Sequence, residues 1–151
     1  MRSFSIQKAK VGDCSECAKL LLEQLAEHGV DSSATLLAEL LENVVRNELR
    51  GLVLLARDDI RVIGVAYCPT ILSLEHCGPV AWLEELYVSP SHRNLGVGTA
   101  LVSAVLAYAK EAGVVAVDLE IDANHNRVES LYQRFGFQLL NRSRWVRKLR
   151  T

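Results

Sequence analysis

The apolar residues of this chain change their spacing many times within a single domain length, and that alternation restricts the fold more than any one motif. "FSIQKA" (4–9) alternates like a strand. "GDCSECAKLLLEQLAEHG" (12–29) instead repeats its apolar positions every three or four residues, with Asp13 placed to cap a helix and Gly29 just past its end. A second helix is predicted after Ser32 or Ser33, with Leu37, Leu41, Val44 and Val45 on one face, Leu40 beside them, and Gly51 as its stop. "LVLLAR" (52–57) is a strand, and the turn at Asp58 and Asp59 leads to two more, "RVIGVAYCPTIL" (61–72) and "AWLEELYVS" (81–89). "GTALVSAVLAYAKEAG" (98–113) is a helix closed by Lys110 and Gly113, and "VVAVDLEI" (114–121) returns to a strand. Asn126, with Glu129 as its capping-box partner, starts a short helix that Gly136 ends before strands in "FQLL" (137–140) and "RWVRKL" (144–149). The order β-α-α-β-β-β-α-β-α-β-β predicts an α/β domain of three layers, a mixed sheet with helices on both faces.

At 151 residues the chain fits one domain, 1–151, and its net charge of −1 argues against nucleic acid as a partner. The basic run "NRSRWVRKLR" (141–150) fits the solvated face of a terminal strand better than a polyanion patch. No run approaches the roughly 18 apolar residues that span a bilayer, and "MRSFSIQKAK" lacks a secretory core, so a cytoplasmic location without membrane contact is expected. Cys14 and Cys17 form a C-x-x-C, but they share helical spacing with Ala18, Leu21, Leu25 and His28. Both thiols therefore read as core residues, and no metal is expected.

The segment "HRNLGVGTALV" (92–102) puts Gly96 and Gly98 between a strand and the start of a helix. Such a junction leaves N–H groups unpartnered at the positive end of the helix dipole, which suits a phosphate, although a tight turn also recruits glycine. A dinucleotide fingerprint would need glycine where Leu101 stands, and a P-loop would need lysine after Gly98, where Thr99 and Ala100 follow. What remains is R-x-x-G-x-G, as Arg93, Gly96 and Gly98, preceded by "LEELYVSP" and followed some thirty residues on by "RVESLYQRFGF".

This pairing resembles the GNAT superfamily of acyl-CoA-dependent N-acyltransferases, closely over residues 80 to 140 and in element order over the whole chain. The resemblance implies acetyl-CoA as co-substrate, its pyrophosphate held by Arg93 and the backbone N–H groups of Asn94, Leu95, Gly96, Val97, Gly98 and Thr99. Many relatives have glycine where Asn94 stands, and asparagine is among the few residues that tolerate positive φ. The resemblance further implies that the pantetheine arm lies like an added strand along Leu86, Tyr87 and Val88, with the N–H of Val88 a candidate donor to the thioester oxygen.

Strict alternation would put Glu84, but not Glu85, on the face of Leu86 and Val88. Diamine acetyltransferases, which "LEELYV" resembles, carry a proposed general base at this register, so Glu84 is the first candidate and Glu85 the second. Tyr132 shares a helical face with Val128, Leu131 and Phe135 and by spacing alone is a core residue. The family's tyrosine in L-Y-x-x-x-G-F is proposed to protonate the departing thiolate, a role implied here for Tyr132. A phenol near pKa 10 donating to a thiolate whose acid is near 8.5 is uphill by about 2 kcal/mol, so the hydroxyl stabilises rather than drives. His125 stands where relatives have a pantetheine-contacting asparagine, flanked by Asn124 and Asn126. The acceptor, a primary amine with polyamine or amino acid favoured, is expected between the early helices and the sheet, with His28 and Asp31 on its rim. The rival expectations are a non-catalytic coenzyme A sensor and an interaction domain whose glycines merely make a turn. Homodimers are common among similar proteins, though no exposed stripe in this sequence argues for one.

Overall fold

The computed structural model describes residues 3–122 and 126–150, with 126 and 127 by their backbone alone, and among these six strands and four α-helices form. In chain order they are β1 (Ser5–Lys8), α1 (Cys14–Glu27), α2 (Ala34–Val45), β2 (Gly51–Arg57), β3 (Val62–Ser73), β4 (Gly78–Leu83), β5 (Glu85–Val88), α3 (Val97–Glu111), β6 (Ala116–Leu119) and α4 (Asn126–Arg134). The chain divides into two compact units, Met1–Glu120 and Ile121–Thr151.

In the first unit the sheet runs β1-β2-β3-β4-β6, with β5 also paired to β3. All pairings are antiparallel except β4 with β6, which α3 makes possible as the crossover between them. Val53, Leu55, Val65 and Tyr87 pack against Cys14, Cys17, Leu21, Leu41 and Val44 of α1 and α2. The opposite face meets α3, since a side chain added at Gly64 would strike Leu101 and Val97. The expected three layers are therefore present, and the period of each segment explains its place in them.

Several local expectations hold and others do not. Ser33 caps α2 by accepting from the Leu36 N–H at 3.3 Å, and Asp58 closes the turn by accepting from the Ile60 and Arg61 amides at 2.9 Å each. Asp13 precedes α1 but makes no side-chain cap. Its carboxylate instead takes the Lys10 N–H at 2.8 Å and the Arg57 guanidinium at 3.1 Å, the second a charged partner stronger than a helix amide. Leu40 is exposed rather than beside the buried face of α2. Cys14 and Cys17 are fully buried, and burial pushes the Cys17 thiol up to about 12. They behave as apolar side chains, as their spacing implied, and no group of metal-binding side chains occurs among the described residues.

In the second unit, α4 ends at a left-handed Gly136 as expected. The two strands expected in 137–140 and 144–149 do not form. Alternation supplies a face but not a ladder partner, and here the apolar side has no cover: Trp145 is 90% and Leu149 90% exposed. No helix among the described residues is long and apolar enough to cross a membrane.

Candidate active site

The single strand expected over 81–89 is two strands, because one extra residue interrupts its alternation. β5 pairs with β3 from Gly64↔Val88 to Tyr67↔Glu85, and β4 resumes at Thr70↔Ala81, so that Cys68 and Pro69 face Trp82, Leu83 and Glu84. The N–H of Glu84 donates to the Tyr67 carbonyl at 3.1 Å, as in a β-bulge. β6 follows β4 only as far as Leu83↔Leu119. Beyond Glu84 the sheet forks, and no strand among the described residues pairs with the second edge of β5.

The bond from the Ser89 N–H to the Ile63 carbonyl, 2.8 Å, sets the phase of this ladder. Alternate residues bond the same neighbour, so Glu85 and Tyr87 address β3, while Leu86 and Val88 turn their N–H and C=O groups to the open edge. Two side chains reach these outward carbonyls: Gln24 Nε2 donates to Leu86 O at 3.2 Å and Arg93 Nε to Val88 O at 3.0 Å. The Arg93 guanidinium also lies 5.2 Å from the Tyr87 ring centre and 3.6 Å from Glu27 Oε1. The Tyr87 hydroxyl donates to the same Glu27 oxygen at 2.8 Å, and burial first, then this bond, pushes the phenol up to about 12.

The open edge runs towards the glycine loop. A short turn at Pro90–His92 is anchored by His92, whose buried ring has Nδ1 2.9 Å from Ser91 Oγ. Its Nε2 is 3.3 Å from Asp58 Oδ2 but off the hydrogen-bond direction, an electrostatic contact only. Asn94 (φ 62°) and Gly96 (φ 83°) are both left-handed, so asparagine fills the first of these positions as its short polar side chain allows. Gly96 caps α3 through its carbonyl, which accepts from the Ala100 N–H at 3.0 Å. None of the N–H groups from Asn94 to Thr99 has a partner among the described residues.

Gly98 separates the two readings of the loop. A Cβ there would meet nothing nearer than Val88 Cγ2 at 3.9 Å, and its φ is not left-handed, so neither turn nor packing requires glycine. What its bareness provides is close access to the helix N-terminus, which fits an anionic diphosphate.

At the fork two carboxylates adjoin. Glu84 is exposed, whereas Glu85 is half-buried, and burial followed by the Glu84 charge pushes its carboxyl from 4.5 up to about 7. The alternation that favoured Glu84 does not survive the bulge. Tyr67, opposite Glu85, is likewise raised, by burial first and then by Glu84. His28 and Asp31 are exposed in the connection between α1 and α2. Tyr132 belongs to the second unit, where it is buried and meets Phe137 edge to face at 5.5 Å. His125 and the Asn126 side chain lie outside the described residues.

The first unit thus brings together Glu84, Glu85, Leu86, Tyr87, Val88, Arg93 and the loop 94–99. Gln24, Glu27 and Tyr67 join them without having been singled out from the sequence. For Gln24 a signal existed: it falls at helical spacing after Cys17 and Leu21, a polar residue on an apolar stripe.

Comparison with known proteins agrees with this construction. The chain is 33% identical over 88 residues to a mycothiol acetyltransferase of Propionibacterium freudenreichii subsp. shermanii, a match covering 58% of this chain and 28% of the relative. It is 38% identical over 73 residues to an aminoglycoside N(6')-acetyltransferase type 1 of Acinetobacter genomosp. 13, covering 46% and 48%. These matches therefore span less than half the length of either relative. An aminoglycoside N-acetyltransferase solved in complex with CoA, 20% identical, superposes with a TM-score of 0.83 over 99% of this chain and 97% of its own, a likeness of fold. The acetyltransferase (GNAT) family model matches residues 16–137, and with the forked sheet and the bare helix N-terminus in place, the chain belongs to that family.

Proposed function

We propose that this protein transfers an acetyl group from acetyl-CoA to a primary amine of a small molecule by direct attack. The observation that carries the reading is the continuous polar track from the unpartnered N–H groups of 94–99, along the outward main chain of Val88 and Leu86, to Glu85 at the fork. Its residues fit the co-substrate: the loop offers donors for a diphosphate, Gly98 leaves room for it, and an open strand edge suits an arm bearing two amides. The thioester supplies an acetyl group already activated for acyl transfer.

The remaining chemistry belongs to the chain. An amine near pKa 10 is mostly ammonium at neutral pH and must lose a proton before it attacks. Glu85, half-buried and with its carboxyl near 7, suits that task, because a base works best when its pKa lies near the working pH. Glu84 keeps Glu85 high by its charge and helps to attract a cationic acceptor. The outward N–H groups of Leu86 and Val88 are the donors available to an oxygen gaining negative charge, and Leu86 is the nearer to Glu85 in sequence. Tyr132 supplies the proton to the departing sulfur, as the family resemblance implies. His28 and Asp31 border the acceptor's approach, and His125 and Asn126 serve the arm.

The test is release of free thiol from acetyl-CoA in the presence of amines: spermidine, lysine, kanamycin and a peptide with a free N-terminus. Turnover of at least one amine is expected. Coenzyme A binding with no turnover across the panel would replace this reading by a sensor.

A further inference from the structure

The N–H groups of residues 94–99 bond to nothing among the described residues, so the loop that would take the diphosphate is fixed at its ends and not along its length. At the far end Val97 is buried at the start of α3. At the near end stands His92, 2% exposed, whose backbone N–H donates to the Ser89 carbonyl at 2.8 Å. Its ring has one hydrogen-bonding neighbour, Ser91 Oγ at Nδ1, whereas Nε2 is buried without a hydrogen bond among the described residues and lies 3.3 Å from Asp58 Oδ2. A sealed ring nitrogen is costly unless some group answers it, and Asp58 is the group that the fold brings there.

Asp58 is a charge held in place. Its Oδ1 accepts from the Ile60 and Arg61 amides, its own N–H donates to the Arg61 carbonyl at 3.1 Å, and the Val62 N–H just beyond is tied to Glu16 Oε2 of α1 at 2.7 Å. The Arg61 amide first, then that of Ile60, holds the carboxyl below the ordinary carboxylate range, so Asp58 is ionised at neutral pH and can only accept. His92 therefore keeps a hydrogen on Nε2, and Nδ1 of its neutral ring accepts from the Ser91 hydroxyl. We propose that Asp58, acting through the Nε2–H of His92, positions the glycine loop for the diphosphate of the co-substrate. The contact carries the rigidity of the β2–β3 turn to the segment that enters the loop. Both are positioning residues, since neither is among the groups that would meet the ligand. The inference rests on the coenzyme-binding part of the proposed function and not on its amine acceptor.

The test compares coenzyme A affinity, by calorimetric titration, in four variants of the full chain. Asp58→Asn keeps an oxygen for the two turn amides but removes the charge. His92→Asn places an amide where Nδ1 stands and cannot reach Asp58, whereas His92→Gln places its N–H near Nε2 and can. The fourth combines Asp58→Asn with His92→Asn. Each single loss of the contact should weaken coenzyme A by about tenfold, as removal of an outer supporting partner commonly does. His92→Gln should stay within about threefold of wild type, and the double variant within about twofold of either single one, because the two side chains act as one unit. The KM for the amine at saturating acetyl-CoA should not move, a split that general loosening of the fold would not produce. Wild-type affinity in Asp58→Asn overturns the proposal, and so do losses that multiply in the double variant or a His92→Gln as weak as His92→Asn. If Asp58→Asn does not fold, the two His92 variants decide the matter. A wild-type protein that does not bind coenzyme A removes the underlying reading and this proposal together, while binding without amine turnover removes the acetyl-transfer reading alone.

Discussion

Glu85 carries a titration that both catalysis and stability should register. With its carboxyl raised from 4.5 to about 7, kcat/KM for the amine should rise with pH through about 7. Glu85→Gln should lower it by about a hundredfold to ten-thousandfold and remove that inflection, whereas Glu84→Gln should cost less than about tenfold. The same shift works against the folded state at high pH. A carboxyl that holds its proton longer when folded favours folding fully below about 4.5, and that advantage is lost as pH rises through 7. Urea denaturation at pH 8 should therefore find Glu85→Gln more stable than wild type by about 1–2 kcal/mol, a figure reduced from the full shift because the group is partly solvated. Gly96 and Gly98 should part company in the same way. Gly96→Ala meets a left-handed φ of 83° and should destabilise by about 1–2 kcal/mol. Gly98→Ala should leave the melting temperature nearly unchanged and weaken coenzyme A by about tenfold or more. Tyr132→Phe should lower kcat by about ten- to a thousandfold while coenzyme A still binds. An unchanged kcat with chemistry rate-limiting would exclude that residue.

At the scale of the element, β5 is defined by what its second edge lacks. The N–H of Val88 points away from β3, so Val88→Pro removes an edge donor without breaking a bond of the existing ladder. The KM for acetyl-CoA should rise by about tenfold or more, with a melting temperature that drops far less than for Tyr87→Pro, where a ladder donor is lost. Equal destabilisation by the two substitutions would mean that the ladder's phase is wrong. The fork itself could not be read from "AWLEELYVS", because a bulge leaves no mark in an alternating pattern except an extra residue that the pattern absorbs. Asp13 shows the same blindness at a helix start, where a distant Arg57 outbid the local amide. The two glutamates were legible as a pair, but the burial and neighbouring charge that raise the Glu85 carboxyl were not, since both arise only in the folded sheet.

For the whole molecule, ligand binding should appear as stability. Coenzyme A at a hundred times its Kd should add about 2.7 kcal/mol, or about 5–11 °C in a chain of this size, and the increment should shrink in Gly98→Ala at equal ligand concentration. The sequence by itself determined the layer structure, the glycine loop and its left-handed asparagine, the buried thiols and the family, because periodicity, backbone permissiveness and motif spacing are local and survive in one dimension. Only the tertiary structure decided where the sheet opens, which glutamate is held near neutrality, and that Gln24 of α1 reaches the Leu86 carbonyl. Those outcomes depend on which residues far apart in the chain share one low-dielectric place, and desolvation and hydrogen-bond competition exist only after the chain has closed on itself.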